Sequence, residues 1–242
     1  MPTAPNPLAD GLLMPSGFEV SQYDSVIGFV KPYRESQLES WKLFHAAWRG
    51  FAYRYKAAGE SNMRFSELIK ISLAPPVEVR YQQDDALYSF FGSALSSLEC
   101  FYFSARCLGA LSNPTMFGIT KAKELIFQPK DVVAAFNKHF PGAELSQTLD
   151  GCCSSVEYTK LSNIRNVLSH RGTPPRHQEY GGTPILESHI PGNPKELSSN
   201  WQFDWAVGPS TTQETYDWLE VWCCELMSAA EKFCQENLHA AA

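Results

Sequence analysis

The 242-residue sequence contains none of the short motifs that mark the common enzyme classes. It has no GxSxG nucleophile elbow, no glycine-rich phosphate loop, no dinucleotide-binding fingerprint, no HExxH and no acidic calcium loop. Seven cysteines are present, but no two form a CxxC pair, and four of them stand as two adjacent pairs, a poor geometry for joint metal ligation. We therefore expect no metal and no cofactor.

The chain also lacks an excess of positive charge and a long apolar run. Its formal net charge is −6, so no overall basic field favours nucleic acid or an anionic membrane. No run reaches the roughly 18 apolar residues that a membrane span needs. The N-terminal MPTAPNPLADG lacks the basic and apolar regions of a secretory signal. We expect a cytoplasmic protein that makes no membrane contact.

Amphipathic helical patterns are present instead, and they cover most of residues 36–242. Four main helices are predicted: one from a Ser36–Glu39 capping box, one over Tyr81–Leu111, one from a Ser154–Glu157 capping box to His170, and one from a Thr211–Glu214 cap. Gly59 is expected to end the first of them, and shorter helices are expected near Arg64–Ile71 and Pro129–Phe140. The pattern predicts an all-α helical bundle of four to six helices.

Two segments interrupt the helical pattern. Residues 1–35 contain five prolines, and they are expected to form an extension that packs loosely or adds a strand or two. Residues 173–209 are rich in proline and glycine, and they are expected to form a loop or flap inserted before the last helix. Trp201, Phe203 and Trp205 alternate with polar residues, which indicates a short strand that covers the bundle.

Residues 165–170, RNVLSH, carry side chains suited to acid–base chemistry on phosphates. Ideal helix geometry places His170 about 140° around the axis and about 7.5 Å along it from Arg165, with Asn166 at about 100°. All three then lie on the side away from the apolar stripe. Arginine matches phosphate oxygens with a planar fork, and histidine titrates near neutral pH. The spacing predicts that Arg165 and His170 can reach one phosphate between them, with Asn166 on the same side, and these three are the candidate catalytic residues.

The surroundings of these residues are basic although the chain is acidic. Residues 155–177 carry a net charge of +3, which leaves −9 for the rest of the chain. Lys160, Arg171, Arg176 and His177 belong to this basic patch, and they are the candidates for binding substrate phosphates.

Two alternatives concern the same helix. Basic residues in a last helical turn also satisfy free carbonyl groups, which accounts for His170 and Arg171 without catalysis. Glu99, on the long predicted helix, either approaches the motif as a third polar group or is an exposed flank residue.

The stretch Tyr158–Gly172, YTKLSNIRNVLSHRG, resembles the signature of the HEPN superfamily (higher eukaryote and prokaryote nucleotide-binding domains). That signature is an arginine, a polar residue, a few spacers and a histidine near the end of a bundle helix; Arg165, Asn166 and His170 match it. The long helix over residues 84–111 is similar to the preceding bundle helix of such proteins.

The resemblance implies a metal-independent endoribonuclease in which two protomers join their motif helices around a composite site. His170 would then be the general acid–base, Arg165 would stabilise the transition state, and Asn166 would orient the helix end or the substrate. The implied partners are RNA, a second copy of the chain and an inhibitory protein, since many relatives are toxins or antiphage effectors under such control.

One position departs from the family pattern. Toxins that are controlled by a nucleotidyltransferase carry a tyrosine two residues after the histidine, where this chain has Gly172. Some HEPN-like proteins keep the bundle without cutting RNA, and a fold does not decide function. The alternative to an endoribonuclease is therefore a non-catalytic helical module that binds a nucleotide or a protein partner.

Overall fold

In the computed structural model, eight α-helices and two small β-sheets form within the residues that the structure describes. Those residues are 8–70, 75–118, 128–170, 172, 174–180, 183–184, 197–203 and 206–238. The helices are α1 (Val20–Val30), α2 (Leu38–Ile69), α3 (Val77–Ser112), α4 (Pro114–Phe117), α5 (Pro129–His139), α6 (Glu144–Ser154), α7 (Val156–His170) and α8 (Pro209–Asn237). The strands are β1 (Leu8–Ala9), β2 (Leu12–Leu13), β3 (Arg176–Tyr180), β4 (Thr183–Pro184), β5 (Leu197–Gln202) and β6 (Ala206–Val207).

The prediction of an all-α helical bundle is confirmed. The described part holds eight helices where four to six were expected, because the sequence pattern did not predict α1, α4 or α6. None of the helices in this part combines the length and the apolar character needed to cross a bilayer.

The two longest helices, α2 and α3, lie antiparallel along each other. Gln37, just before α2, donates from Nε2 to the carbonyl oxygen of Leu111, near the end of α3, over 3.0 Å. Toward the other end of the pair, Arg64 Nη1 lies 2.9 Å from Asp85 Oδ2. Apolar residues recur at three- and four-residue spacing on both helices and are buried. The pair forms the frame on which the other helices pack.

Helix α1 belongs to the same core. Tyr23, Val26 and Val30 are buried, and the Tyr23 ring stacks on Trp48 of α2 with 5.3 Å between ring centroids. Trp48 Nε1 donates to the Tyr23 carbonyl oxygen over 3.2 Å. The expectation that residues 1–35 pack loosely is therefore wrong for α1. The prolines on which it was based lie on either side of this helix, and the apolar residues between them are buried. The paired strands β1 and β2 agree with the expected strand or two.

Helix α2 continues through Gly59, so the predictions that this glycine ends a helix and that a separate helix follows are wrong. The reason is packing against α8. A Cβ at Gly59 would lie 2.7 Å from the hydroxyl oxygen of Tyr216. Glycine inside a helix costs about 1 kcal/mol relative to alanine. Here it gives room to the tyrosine and does not stop the helix.

The cap of α7 also differs from the prediction by one residue. Ser154 ends α6, and its hydroxyl donates to the carbonyl oxygen of Asp150 over 2.6 Å. Ser155 Oγ instead accepts a hydrogen bond of 3.1 Å from the backbone N–H of Tyr158. Ser155 therefore caps α7, and the predicted Ser154–Glu157 capping box is wrong because the unpredicted α6 occupies Ser154.

The inserted segment contains an antiparallel sheet in the strand order β4-β3-β5-β6. Trp201 of β5 is buried against Phe65 of α2, with 5.2 Å between ring centroids, and its Nε1 donates to Asp84 Oδ1 over 2.7 Å. The predicted strand that covers the bundle is confirmed at Trp201. Trp205 lies outside the described residues.

Candidate functional site

Helix α7 carries the motif; its C-terminal end agrees with the sequence prediction, and its N-terminal cap lies one residue later than predicted. Leu161, Ile164 and Leu168 are buried, as the apolar stripe predicted. The helix ends at His170, and Gly172 has φ +112°, a conformation that side chains with a Cβ rarely adopt. The buried stripe therefore fixes which side of α7 faces the frame and which side faces away from it.

Arg165 is held against α3 by a carboxylate. Its Nη2 lies 2.6 Å from Glu99 Oε1, with 26% of the arginine side chain and 37% of the glutamate side chain exposed. Of the two alternatives for Glu99, the structure has the one in which it meets the motif. An ion pair this open to solvent contributes about 1 kcal/mol or less to stability. Its main effect is to fix where the guanidinium points.

A groove of about 410 Å³ lies beside this ion pair, and we call it the α3 groove. Its described lining consists of Ser89, Gly92, Ser93, Ser96 and Glu99 of α3, Arg54 of α2, and Arg165 and Ser169 of α7. Every one of these residues is polar or glycine. The serines on α3 recur at three- and four-residue spacing, so one face of that helix presents hydroxyl groups to the groove.

The chemistry of the α3 groove suits an anion. The described lining contains two arginines and one glutamate, which gives it a net charge of +1 in a chain of −6. Serine hydroxyls donate and accept hydrogen bonds, and guanidinium groups bind phosphate oxygens with two parallel N–H groups. A phosphate or carboxylate group therefore finds both charge and donors here.

His170 and Asn166 do not line this groove. His170 is exposed at the end of α7, and Asn166 is half-buried on the same helix. Arg165 and Ser169 are four residues apart and share a face, whereas His170 is turned about 140° from Arg165. The described part of a single chain thus brings Arg165 together with Glu99, Arg54 and Ser169, and it leaves His170 on a different side of α7.

Of the four predicted phosphate-binding residues, the structure describes the side chains of Lys160 and Arg176, and these two lie apart, on α7 and at the start of β3. Lys160 is half-buried on α7 outside the groove lining. Arg176, at the start of β3, places its guanidinium carbon 4.8 Å from the centroid of the Trp201 ring. Arg171 and the side chain of His177 lie outside the described residues; the backbone of His177 pairs with Asn200.

Arg176 is partly buried beside Asp84 of α3, and burial is the main influence on the pKa of its guanidinium. Loss of solvent lowers the pKa of its guanidinium, and the nearby Asp84 carboxylate opposes that change. The same carboxylate accepts the hydrogen bond from Trp201. Arg176 therefore takes part in fastening the sheet to α3, a role that the basic patch in the sequence did not indicate.

Arg54 and Ser169 are groove residues that the sequence reasoning missed. The serines of α3 gave a usable signal, because Ser89, Ser93 and Ser96 repeat on one face of a long, largely apolar helix. Arg54 gave none. It is an exposed arginine near the middle of α2, and only the packing of α2 beside α3 brings it to the groove.

The described residues contain no cluster of three or more His, Cys, Asp or Glu that is arranged for a metal ion. The cysteines are also poor nucleophiles, since burial raises the pKa of both Cys152 and Cys234 to about 12 and keeps these thiols protonated at neutral pH. The titratable and cationic residues of α7 are therefore the candidates for chemistry at this site.

Comparisons with protein-family models, with curated proteins and with solved structures found no match for this chain. The resemblance to the HEPN superfamily thus stays a prediction that depends on the motif in α7.

Proposed function

We propose that the protein is a metal-independent endoribonuclease of the HEPN type that acts in the cytoplasm as a homodimer. The observation that carries the proposal is the position of Arg165. It lines a polar groove with room for a nucleotide while its guanidinium pairs with Glu99, and a solvent-exposed histidine ends the same helix. Metal-free cleavage of a phosphodiester needs a group that transfers protons and a cation that stabilises the phosphate charge, and histidine and arginine can fill these two roles.

The reaction needs two proton transfers, one from the attacking 2′-hydroxyl and one to the departing 5′-oxygen. The ribose 2′-hydroxyl attacks the adjacent phosphorus and loses its proton to a base, while the bond from phosphorus to the 5′-oxygen breaks and that oxygen gains a proton. The products are a 2′,3′-cyclic phosphate and a 5′-hydroxyl. His170 transfers the protons, Arg165 stabilises the negative charge on the phosphorus oxygens, and Asn166 orients the helix end or the RNA.

A second protomer explains why His170 lies outside the groove of its own chain. His170 is exposed, Asn166 is half-buried, and neither belongs to the buried stripe of α7, so a partner could contact the helix at His170. In a twofold dimer formed through α7, His170 of one protomer approaches the α3 groove of the other. The composite site then contains Arg165 from one chain and the histidine from its partner.

The deciding experiment measures cleavage of single-stranded RNA in EDTA by the purified protein and its variants. His170→Ala and Arg165→Ala are each expected to reduce the rate at least 100-fold, which is typical for loss of a general acid–base or of a transition-state cation. An equimolar mixture of the two variants should regain about a quarter of the wild-type rate, because half of the dimers are mixed and each holds one complete site.

Two other variants provide matched controls. His139→Ala removes a histidine that also ends a helix, and Arg64→Ala removes an arginine that also pairs with a carboxylate of α3. Both should cleave at the wild-type rate. Equal cleavage by the wild type and by the Arg165 and His170 variants would point to a contaminating nuclease and would refute the proposal.

A non-catalytic module that binds a nucleotide or an acidic protein group is the second candidate. The observation that favours it is the α3 groove itself, which gathers two arginines and four serines without the histidine. This candidate predicts binding of RNA or a mononucleotide with no cleavage by any variant. An inhibitory partner protein remains part of the proposal for the enzyme and is not needed by the module.

A further inference from the structure

A second cleft lies between the middle of α2, the start of α8 and the segment that follows β2. Its volume is about 430 Å³, within the range of small-molecule sites, and it shares no described lining residue with the α3 groove. Leu13 and Met63 line it and are 51% and 61% exposed, so they give it an apolar rim. We call it the α8 cleft.

Asn62 is a lining residue of the α8 cleft and is 97% buried, with 3% of its surface exposed. Its Nδ2 donates to Gln213 Oε1 over 3.0 Å, and Gln213 Nε2 donates to Asp217 Oδ1 over 2.6 Å. A carboxylate oxygen accepts, so the Gln213 amide is fixed with its oxygen toward Asn62. In turn, Asn62 presents its N–H group to Gln213.

This orientation leaves the Asn62 carbonyl oxygen without a partner. No donor among the described residues reaches Oδ1, and the atom is buried. Buried acceptors are nearly always paired, and an unpaired one destabilises the fold unless another group donates to it. Asn62 lines the α8 cleft, so a small turn of its side chain would bring this oxygen to an N–H donor of a ligand bound there.

The charge of the α8 cleft favours the same kind of ligand. Lys56 Nζ and Glu60 Oε1 lie 2.7 Å apart and neutralise each other. Glu220 is half-buried, accepts a hydrogen bond of 3.3 Å from the hydroxyl of Tyr55, and pairs with no lysine or arginine of the described residues. The lining therefore keeps a net charge of −1.

Two glycines make room for the polar groups of this cleft. A Cβ at Gly59 would press on the Tyr216 hydroxyl at 2.7 Å, and a Cβ at Gly17 would collide with the Glu220 carboxylate. Gly59 stands in the interior of a helix, where alanine is favoured by about 1 kcal/mol. The sequence thus keeps small residues where Tyr216 and Glu220 enter the cleft.

We infer that the α8 cleft binds a small organic cation, in which an ammonium or guanidinium group is carried on an apolar body. The cationic N–H groups donate to Asn62 Oδ1 and to the Glu220 carboxylate, and the apolar body lies against Leu13 and Met63. An anion of the same shape meets repulsion from Glu220 and leaves the Asn62 oxygen unpaired. The inference does not depend on ribonuclease activity.

The test compares two probes of similar shape and opposite charge, 4-phenylbutylammonium and 4-phenylbutanoate, by ¹H–¹⁵N NMR titration of the full chain at pH 7. The ammonium is expected to bind with a dissociation constant of the order of millimolar, as a ligand of this size allows, and at least about tenfold more tightly than the carboxylate. The shifted signals should come from residues 56–63 and 213–220.

Two variants and one control make the test specific. Glu220→Gln keeps an acceptor for Tyr55 and should reduce the ratio of ammonium to carboxylate affinity to less than about threefold. Asn62→Leu should weaken ammonium binding about tenfold. Glu225→Gln, on the same helix but outside this cleft, should behave as the wild type. If Asn62→Leu does not fold, Glu220→Gln decides alone. Equal affinity for both probes, or an unchanged preference in Glu220→Gln, overturns the inference.

Discussion

The α3 groove and the α8 cleft are nearly equal in volume and both border α2, yet their linings are opposite in character. The groove has hydroxyl and guanidinium groups and a net charge of +1. The cleft has an apolar rim, a buried amide oxygen without a donor and a net charge of −1. One helix thus contributes to a surface suited to anions through Arg54 and to a surface suited to cations through the segment around Asn62.

The difference shows how local charge departs from the charge of the whole chain. A net charge of −6 alone predicts poor binding of RNA. In the α3 groove, however, Glu99 offsets only one of the two arginines. The second arginine supplies the net positive charge, so affinity for phosphate should depend on Arg54 as much as on the motif residue.

Among the effects that distinguish the two linings, the largest is expected on RNA binding in the α3 groove. Arg54→Ala should weaken binding of an uncleavable 2′-O-methyl oligonucleotide about tenfold, because it removes a charged donor from a phosphate contact. The same variant should bind 4-phenylbutylammonium as the wild type does. Fluorescence anisotropy measures the first quantity at low salt, and NMR titration measures the second.

Arg64→Ala serves as the control for this measurement. Arg64 lies ten residues further along the same helix, and its side chain is 51% exposed beside Asp85. Its removal changes the net charge by the same amount without touching the groove. If both variants weaken RNA binding equally, binding depends on the overall charge and the groove is not the site.

The sequence predicted the bundle well wherever apolar spacing and end signals agreed. α3 and α7 lie close to their predicted ranges because a buried stripe runs through each of them, and Gly172 ends α7 as expected. The prediction was wrong at Gly59 because the sequence alone does not distinguish a glycine required for close packing from a glycine that ends a helix. Only the partner, Tyr216, distinguishes the two cases.

The candidate site was predictable only in part. The motif in α7 is visible in the sequence because its residues are close together along the chain. The ion pair between Glu99 and Arg165 joins residues 66 positions apart, and Arg54 reaches the groove through the packing of α2 beside α3. Such contacts follow from helix register, which local pattern does not determine.

Stability offers a smaller contrast, between Gly59 at the α8 cleft and Gly28 on α1. Gly59→Ala forces the Tyr216 hydroxyl to move and is expected to lower the free energy of unfolding by about 1 kcal/mol, after the gain in helix propensity is included. A Cβ added at Gly28 would meet no atom within 4 Å. Gly28→Ala should therefore raise the free energy of unfolding by about 0.5–1 kcal/mol. Urea unfolding measures both, and opposite signs are the expected result.

Glu99→Gln is expected to have the smallest effect, and its sign is informative. Phosphate and Glu99 compete for the same guanidinium, so loss of the carboxylate charge should strengthen binding of the 2′-O-methyl oligonucleotide about threefold at low salt, and the gain should shrink as salt screens the groove. Asp85→Asn removes the carboxylate that pairs with Arg64 on the same helix and should leave binding unchanged. Weaker binding by Glu99→Gln would mean that Glu99 acts chiefly by holding Arg165 in place. The affinity of the α3 groove would then depend on the position of the Arg165 guanidinium more than on the net charge of the groove.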